Sequence, residues 1–390
     1  MKHSFDRRQF LAGSAGALSV TLLPKGVFAA RQATGAAKAP VARIDSAHDT
    51  YFGETLSDPY RWMENAKDPE WLPFLKGQND RTREVLDALP TRASLLERIQ
   101  QLSGDTVATS RVQRAGGLLF FTQRPKGADN FKLFVRQGGG TPDRVLVDPI
   151  GMSGAKGHVS LDWWRASPNG RHVVYGLSQD GSEDSILHVL NVADGRDLPH
   201  TIANTESANP QWLDDGSGFF YNQLTGKVGT PERYLDSQAR FHRLGSDPGT
   251  DPVLMKRGLV AGIDYEKIQQ PNIVTSPGAH YAILLLSDVR PEARGFIAPL
   301  DAVINGRAHW TPFAAFEDEV TDVDLHGEDL YLLVNKGTPR GRLVKTSAAA
   351  PNLATAIQVV PQGPFVIEST SRAWPSASCR RSGARLVTAS

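Results

Sequence analysis

Ser167-Pro168-Asn169-Gly170-Arg171-His172-Val173-Val174-Tyr175 reads as a tight turn that runs straight into a β-strand. Pro, Asn and Gly supply the turn chemistry, and a β-branched pair followed by an aromatic residue suits a buried strand. The same unit recurs along the chain. Gly116-Gly117 precedes Leu118-Leu119-Phe120-Phe121, and Asp215-Gly216-Ser217-Gly218 precedes Phe219-Phe220-Tyr221. Pro277-Gly278 precedes an apolar run from Tyr281 to Leu286, and His326-Gly327 precedes one from Leu330 to Val334. From Gly117 to Gly170, Gly218, Gly278 and Gly327 the steps are 53, 48, 60 and 49 residues. A period of about 50 is that of propeller blades. Each unit offers further strands, as in Ser185 to Leu190 ahead of the turn Ala193-Asp194-Gly195. Four short antiparallel strands per repeat describe a β-propeller. A β-sandwich also has short strands and turns, but it has no need of one turn–strand unit repeated from residue 106 to residue 368.

Ahead of the repeats the period changes. Trp71, Phe74 and Leu75, then Val85, Leu86 and Leu89, then Leu95, Leu96 and Ile99 follow helical spacing. Asp68 before Pro69 forms an N-cap with Pro at the first helical position, and Pro90 separates two helices. The fold class expected is therefore mainly β. A partial propeller over residues 106–368, of about five blades, follows a helical N-terminal extension over 44–105.

The two ends read differently. Arg7-Arg8-Gln9-Phe10-Leu11 precedes an apolar, small-residue stretch to about Leu23, with Val27-Phe28-Ala29 ahead of a plausible cleavage point. Residues 1–30 thus read as a twin-arginine export signal, which implies a periplasmic or secreted protein. The stretch is too short and too rich in Gly and Ser for a comfortable membrane span. Residues 31–43 read as a flexible lead-in. Residues 369–390 carry four arginines, the sole cysteine, Cys379, and no acidic residue. They break off the strand pattern in mid-blade. They read as a disordered basic tail or as an out-of-frame translation, and the abrupt onset favours the second.

The 390 residues include 36 Gly and 25 Pro and carry a net charge of +1. That composition suits a turn-rich β protein, and the charge gives no electrostatic reason to expect nucleic acid or an anionic membrane. One cysteine excludes an internal disulfide and a cysteine-based zinc site.

Four blocks and the pair Gln78-Asn79, in order, resemble the prolyl oligopeptidase family of serine peptidases. The first is Asp58-Pro59-Tyr60-Arg61-Trp62-Met63-Glu64-Asn65 with Gln78-Asn79 after it; Met63 and Asn65 depart from the usual Leu and Asp. The second runs from Asp162 to Ser178 and leads into Gly181-Ser182. The third runs from Gln211 to Asn222. Phe241-His242-Arg243-Leu244-Gly245-Ser246 is similar to the family's strand of the pattern Tyr-His-Arg-Leu-Gly-Thr. The resemblance spans about residues 44 to 368. It implies a seven-bladed propeller, of which about five blades and the first strand of another are expected here, and an α/β-hydrolase domain that the propeller restricts to short peptides. It also implies that the N-terminal helices pack on that hydrolase domain, with Leu75, Leu86, Leu89, Leu95 and Ile99 as the stripe that would do so.

Acyl transfer needs a serine on a strand-to-helix elbow, a histidine base and an orienting acid. Gly151-Met152-Ser153-Gly154-Ala155 is the nearest approach to an elbow. It ends in Ala, follows no apolar strand and reads as a loop. His172, His188 and His280 fall in or beside strands; His158, His200, His309 and His326 fall near turns; none has a recognisable partner. No metalloprotease, phosphate-loop or dinucleotide motif occurs. Glu183-Asp184 and Glu317-Asp318-Glu319 read as solvated turns rather than cation sites. Trp163-Trp164, on one strand, would place one ring in the propeller interior and the other between blades. No catalytic, cofactor-binding or metal-ligating residue is expected in this chain. Two functional classes follow. The first is the propeller portion of a prolyl oligopeptidase-like peptidase, inactive alone, whose partners are short peptides and a hydrolase domain in trans. The second is a non-enzymatic periplasmic propeller that binds peptides or a protein.

Overall fold

The computed structural model describes residues 39–103, 106–154, 157–371, 378–381 and 387–388. The segment expected to be an export signal, residues 1–30, lies outside the described residues, as does most of the expected lead-in and of the tail. The chain divides into two compact units, at Gln101 and Leu102.

The first unit contains an element the sequence reading missed. Ala47–Tyr51 pairs antiparallel with Glu54–Asp58 around a two-residue turn, Phe52-Gly53, in which both residues have positive φ. That geometry matches the twist of a hairpin. A non-glycine residue at the first turn position hid it, so the extension is a hairpin plus helices rather than helices alone. Helix α1 spans Trp71–Asp87 and helix α2 spans Arg92–Ser103, parted at Pro90 as expected. Helix α1 is capped at Glu70, two residues beyond the expected cap. Asp68 instead closes the preceding turn, accepting from the Glu70 amide at 2.9 Å.

Asp58 and Trp62 of the opening motif hold this unit together. Asp58 accepts from the Tyr60 amide and from Arg61 Nε, both at 2.9 Å, and Arg61 also pairs with Asp49 across the hairpin. Trp62 is buried, meets Phe74 edge-on at 6.0 Å and donates Nε1–H to the Arg43 carbonyl at 2.8 Å. The Arg43 guanidinium lies 4.6 Å over the Trp62 ring and binds Asp68 and Glu70, each at 2.9 Å. Gln78 donates to the Pro40 carbonyl at 2.8 Å. The last residues of the expected flexible lead-in are therefore fixed, because Gln78 and Trp62 bind their carbonyls. Helices α1 and α2 bury no residue of their own, and Leu75, Leu86, Leu89, Leu95 and Ile99 are all exposed.

The second unit is a succession of antiparallel sheets, each meandering in chain order. Blade 1 comprises Ala108–Ala115, Leu118–Arg124, Lys132–Arg136 and Arg144–Val147. Blade 2 comprises Val159–Ala166, His172–Gln179, Ile186–Asn191 and Arg196–Asp197. Blade 3 comprises Gln211–Trp212, Gly218–Gln223, Gln238–Arg243 and Val253–Met255. Blade 4 comprises Gln270–Val274, Tyr281–Ser287, Arg294–Pro299 and Thr311–Ala314. Blade 5 comprises Val320–His326, Asp329–Val334, Arg342–Ser347 and Ile357–Val360. Ile367–Ser371, Ser378–Arg381 and Val387–Thr388 form a three-stranded sixth sheet. Of residues 369–390, read as a disordered tail or as an out-of-frame translation, 372–377, 382–386 and 389–390 lie outside the described residues. An edge strand at Ile367–Ser371 presents unpaired amides and carbonyls, and following chain of almost any composition can pair with them.

The core lies between blades. Neighbouring residues on a strand point to opposite faces, so the second strand of each blade feeds two seams. Val173 packs toward blade 1 and Val174 toward blade 3. Phe219 packs toward blade 2 and Phe220 toward blade 4. Leu284 and Ile283 divide likewise between blades 3 and 5, as do Leu332 and Leu333 between blade 4 and the sixth sheet. The apolar runs of the sequence are thus two-sided strands, without polar alternation.

Candidate functional site

The nearest approach to a nucleophile elbow is a structural turn. Pro149–Met152 is a single helical turn capped by Asp148, whose side chain accepts from the Gly151 amide at 3.1 Å. Ser153 Oγ donates to the Pro149 carbonyl at 2.8 Å and accepts from the Val159 amide at 2.9 Å. Both capacities of the hydroxyl go to the backbone, and no imidazole shares it. Ala155, the last residue of the pattern, lies outside the described residues.

The histidines of the strands belong to the blades. His188 stacks on Tyr175 at 5.2 Å, with its Nδ1 3.5 Å from Asp197. His172 stacks on Trp212 at 6.5 Å. The His158 amide donates to Asp180 at 2.9 Å, so this residue contributes its backbone to the blade 1–blade 2 connection. Among the described residues no acid pairs with His200, His280 or His309.

A buried acid–imidazole pair also escaped the sequence reading. Asp251, just ahead of the fourth strand of blade 3, lies 3.0 Å from Nδ1 of His242 on the third strand. Tyr221, on the second strand, donates its hydroxyl to the same carboxylate at 2.9 Å. All three side chains are buried, and among the described residues no aliphatic hydroxyl or thiol is bonded to the His242 ring. Burial, and then the neighbouring carboxylate, push the Tyr221 phenol far above its usual range. The cluster is a strand-to-strand tie. A counterpart recurs one blade earlier, where Tyr175 donates to both oxygens of Asp197 at 2.8 and 2.9 Å. The recurrence of Tyr five residues after Gly170 and Gly216 was visible in the sequence. The acid was not, because strand and loop lengths before it differ between the blades.

The acidic pairs are occupied. Asp184 is paired with the buried Arg233, which also donates to Asn204 Oδ1 at 2.9 Å and to the Gly226 carbonyl at 3.2 Å. Asp318 accepts from the Ala315 amide at 2.9 Å. Among the described residues no group of three or more His, Cys, Asp or Glu side chains is arranged to hold a metal ion. No helix among them is long and apolar enough to cross a membrane.

Both rings of Trp163-Trp164 enter seams, which corrects the expectation of one ring in the interior. Trp163 packs with the blade 2–blade 3 cluster, and Trp164 with the blade 1–blade 2 cluster. Trp163 lies flat on Gly176, where an added Cβ would come within 2.4 Å of the indole, and its Nε1–H donates to the Thr205 carbonyl at 3.2 Å. The blade was built around the indole at that glycine.

The cavities also lie between blades. One of about 240 Å³ is lined by Leu213, Asp214, Thr275, Ser276, Leu300 and Ile304. Another, of about 440 Å³, lies between blades 4 and 5, with Phe296, Pro312, Phe313, Asp318, Asn352 and Leu353 on its walls. Neither brings a nucleophile and a base together. The arrangement can enclose and exclude; the described residues do not form an acyl-transfer constellation.

Residues 39–373 match the model of the prolyl oligopeptidase N-terminal β-propeller domain. Prolyl endopeptidase of Elizabethkingia meningoseptica is 24% identical over 322 residues, covering 82% of this chain and 44% of the relative. Prolyl oligopeptidase A of Amanita bisporigera is 24% identical over 366 residues, covering 83% and 46%. A structure from a structural and mechanistic study of two prolyl endopeptidases has a TM-score of 0.76 at 26% identity, over 88% of this chain and 50% of that one. Prolyl oligopeptidase B of Galerina marginata, bound to a 35mer substrate, has a TM-score of 0.70 at 18% identity, over 88% and 51%. The chain spans about half the length of these relatives.

Proposed function

The chain belongs to the prolyl oligopeptidase family through that family's N-terminal β-propeller, and from this premise we propose that it is the propeller portion of a serine peptidase acting on short peptides. In this reading the propeller confines the substrate, and a hydrolase domain supplies serine, histidine and acid. The observation that carries it is the run of five four-stranded blades across the residues matched by the family. The chemistry of the described side chains agrees with it: the Ser153 hydroxyl is spent on backbone groups and the His242–Asp251 pair is sealed. Without a positioned nucleophile, binding and oxyanion contacts have no bond-forming step to accelerate. The propeller by itself is therefore inactive, its hydrolase partner acts in cis or in trans, and the export signal directs the protein to the periplasm or out of the cell.

The test is an assay of this chain with short chromogenic prolyl and arginyl peptides, alone and mixed with a family hydrolase domain. The expected result is no turnover alone, and an altered length dependence of turnover when both are present. Turnover by this chain alone, blocked by a serine-directed inhibitor, would overturn the reading. Peptide binding without any effect on a hydrolase domain would instead support a non-enzymatic propeller.

A further inference from the structure

The seam between blades 2 and 3 is held by apolar packing and by polar ties. Its apolar members are Val174, Leu187, Val189 and Ile202 from blade 2, and Ala208, Trp212, Phe219 and Tyr221 from blade 3. Polar ties run among them. Trp212 Nε1–H donates to the Arg165 carbonyl at 3.1 Å, and the Arg165 guanidinium donates to Gln211 Oε1 at 2.7 Å. His172 opens the second strand of blade 2 and has the parity of Val174, so its ring faces blade 3. It stacks on Trp212 at an interplanar angle of 23°, and Trp212 in turn meets Phe219 edge-on at 5.0 Å.

The backbone of His172 is fully used: its amide donates to Ser167 Oγ at 3.0 Å and its carbonyl accepts from the Ser167 amide at 2.8 Å. Its side chain is not. Nδ1 is buried and has no hydrogen-bond partner among the described residues. A neutral imidazole tolerates this with a lone pair at Nδ1 and its proton on Nε2. A protonated one does not, because Nδ1–H then points at no acceptor in a desolvated seam. The charged and titratable groups on the packed elements are Arg171 and Arg165 from blade 2, Asp215 at the blade 3 turn, and Tyr221, Arg243 and the His242–Asp251 pair in blade 3. Burial first and the charge of Arg171 second lower the affinity of His172 for a proton, and no carboxylate opposes them.

We propose that His172 makes the seam between blades 2 and 3 acid-sensitive, so that uptake of a proton at its imidazole loosens the packing of Trp212 against blade 2. The sign follows from linkage. A histidine whose native proton affinity is lowered leaves the fold at full stability above the ordinary imidazole value of about 6.5, and stability falls as pH drops through the native value.

The test follows the His172 ring by NMR from about pH 7.5 to about pH 4.5, through the range of histidine titration. The same samples report hydrogen exchange at the amides of Asn222 and Leu224, which donate to the carbonyls of Ala208 and Asn204. The expected result is a ring titration below the ordinary value. Exchange at these amides, corrected for its intrinsic pH dependence, then rises with it, about tenfold for each unit of lowering. His172→Gln removes the rise. A ring that titrates at or above the ordinary value, or seam exchange that ignores pH, overturns the proposal. So does a rise that persists in His172→Gln. The wild-type measurements decide the matter even where the variant fails to fold.

Discussion

The Asn169 side chain donates to the Asp215 carbonyl at 2.7 Å and so ties the first turn of blade 2 to the first turn of blade 3. Equivalent clasps run along the same end of the blades. The Gly116 amide donates to the Pro168 carbonyl at 2.9 Å, the Gly278 amide donates to Asp214, and Ser276 Oγ donates to Asp324 at 2.7 Å. Asp322 continues the series toward the sixth sheet, accepting from the Thr370 amide at 2.7 Å and from its hydroxyl at 2.8 Å. In blades 1 to 4 the turn residues that announce the repeat therefore also join it to the next, while in blade 5 the strand residue Asp322 does so.

Removing one clasp should cost stability without unfolding the blades. Asn169→Ala loses the bond to Asp215 and is expected to cost about 1 kcal/mol, the net worth of a typical hydrogen bond. Gly116→Ala should cost more. Its backbone has φ +55 and an added Cβ would meet the Asn169 carbonyl oxygen at 2.2 Å. Urea midpoints of the two variants check the order, and an unchanged midpoint for Gly116→Ala would show that the turn is free to move.

Gly176→Ala should force the Trp163 indole off its seat. Overpacking of this kind is expected to cost about 1–3 kcal/mol. Trp163→Phe should relieve part of that cost when combined with it. Thermal melts of the single and double variants measure the coupling, and simple additivity would count against direct contact.

Tyr221→Phe leaves the Asp251 carboxylate buried with one donor fewer. The expected loss is about 1–3 kcal/mol, the cost of stranding a buried polar partner. Tyr175→Phe should cost less, because Asp197 is partly exposed and water can replace the phenol. Chemical denaturation of the two variants side by side tests the ranking.

Asp215 carries an acid-limb prediction. Its carboxylate is held below the usual range first by the Ser217 amide and then by the Ser217 hydroxyl. A carboxyl lowered in the folded state adds stability above its unfolded value of about 3.9, and that stability is lost as pH falls through the native value. Asp215→Asn should therefore lower stability at neutral pH and flatten the loss toward acid. Denaturation midpoints across that range check it; parallel profiles for the two proteins would refute it.

Under the proposed export reading, in which the twin-arginine pair is an address rather than part of a fold, Arg7→Lys combined with Arg8→Lys should retain the protein in the cytoplasm. Cell fractionation reads the outcome, and unchanged export would dismiss the twin-arginine route.

The sequence determined the blades. Turn residues at a period of about 50 and two-sided apolar runs dictate repeated buried strands, because such strands bury both faces only by stacking sheet on sheet. It also determined the break at Pro90, where a residue without an amide proton cannot continue a helix. Tertiary structure alone decided the rest. Which of Val173 and Val174 meets which blade depends on register, and a shift by one residue exchanges every face. The Phe52-Gly53 hairpin needed a backbone conformation that its residues do not advertise. His242 and Asp251 come together across two strands whose connecting loop has no repeat to index it. The Trp163-Trp164 pair follows the same rule: alternation along a strand says that two rings part, and only the packed sheets say that both sides are seams.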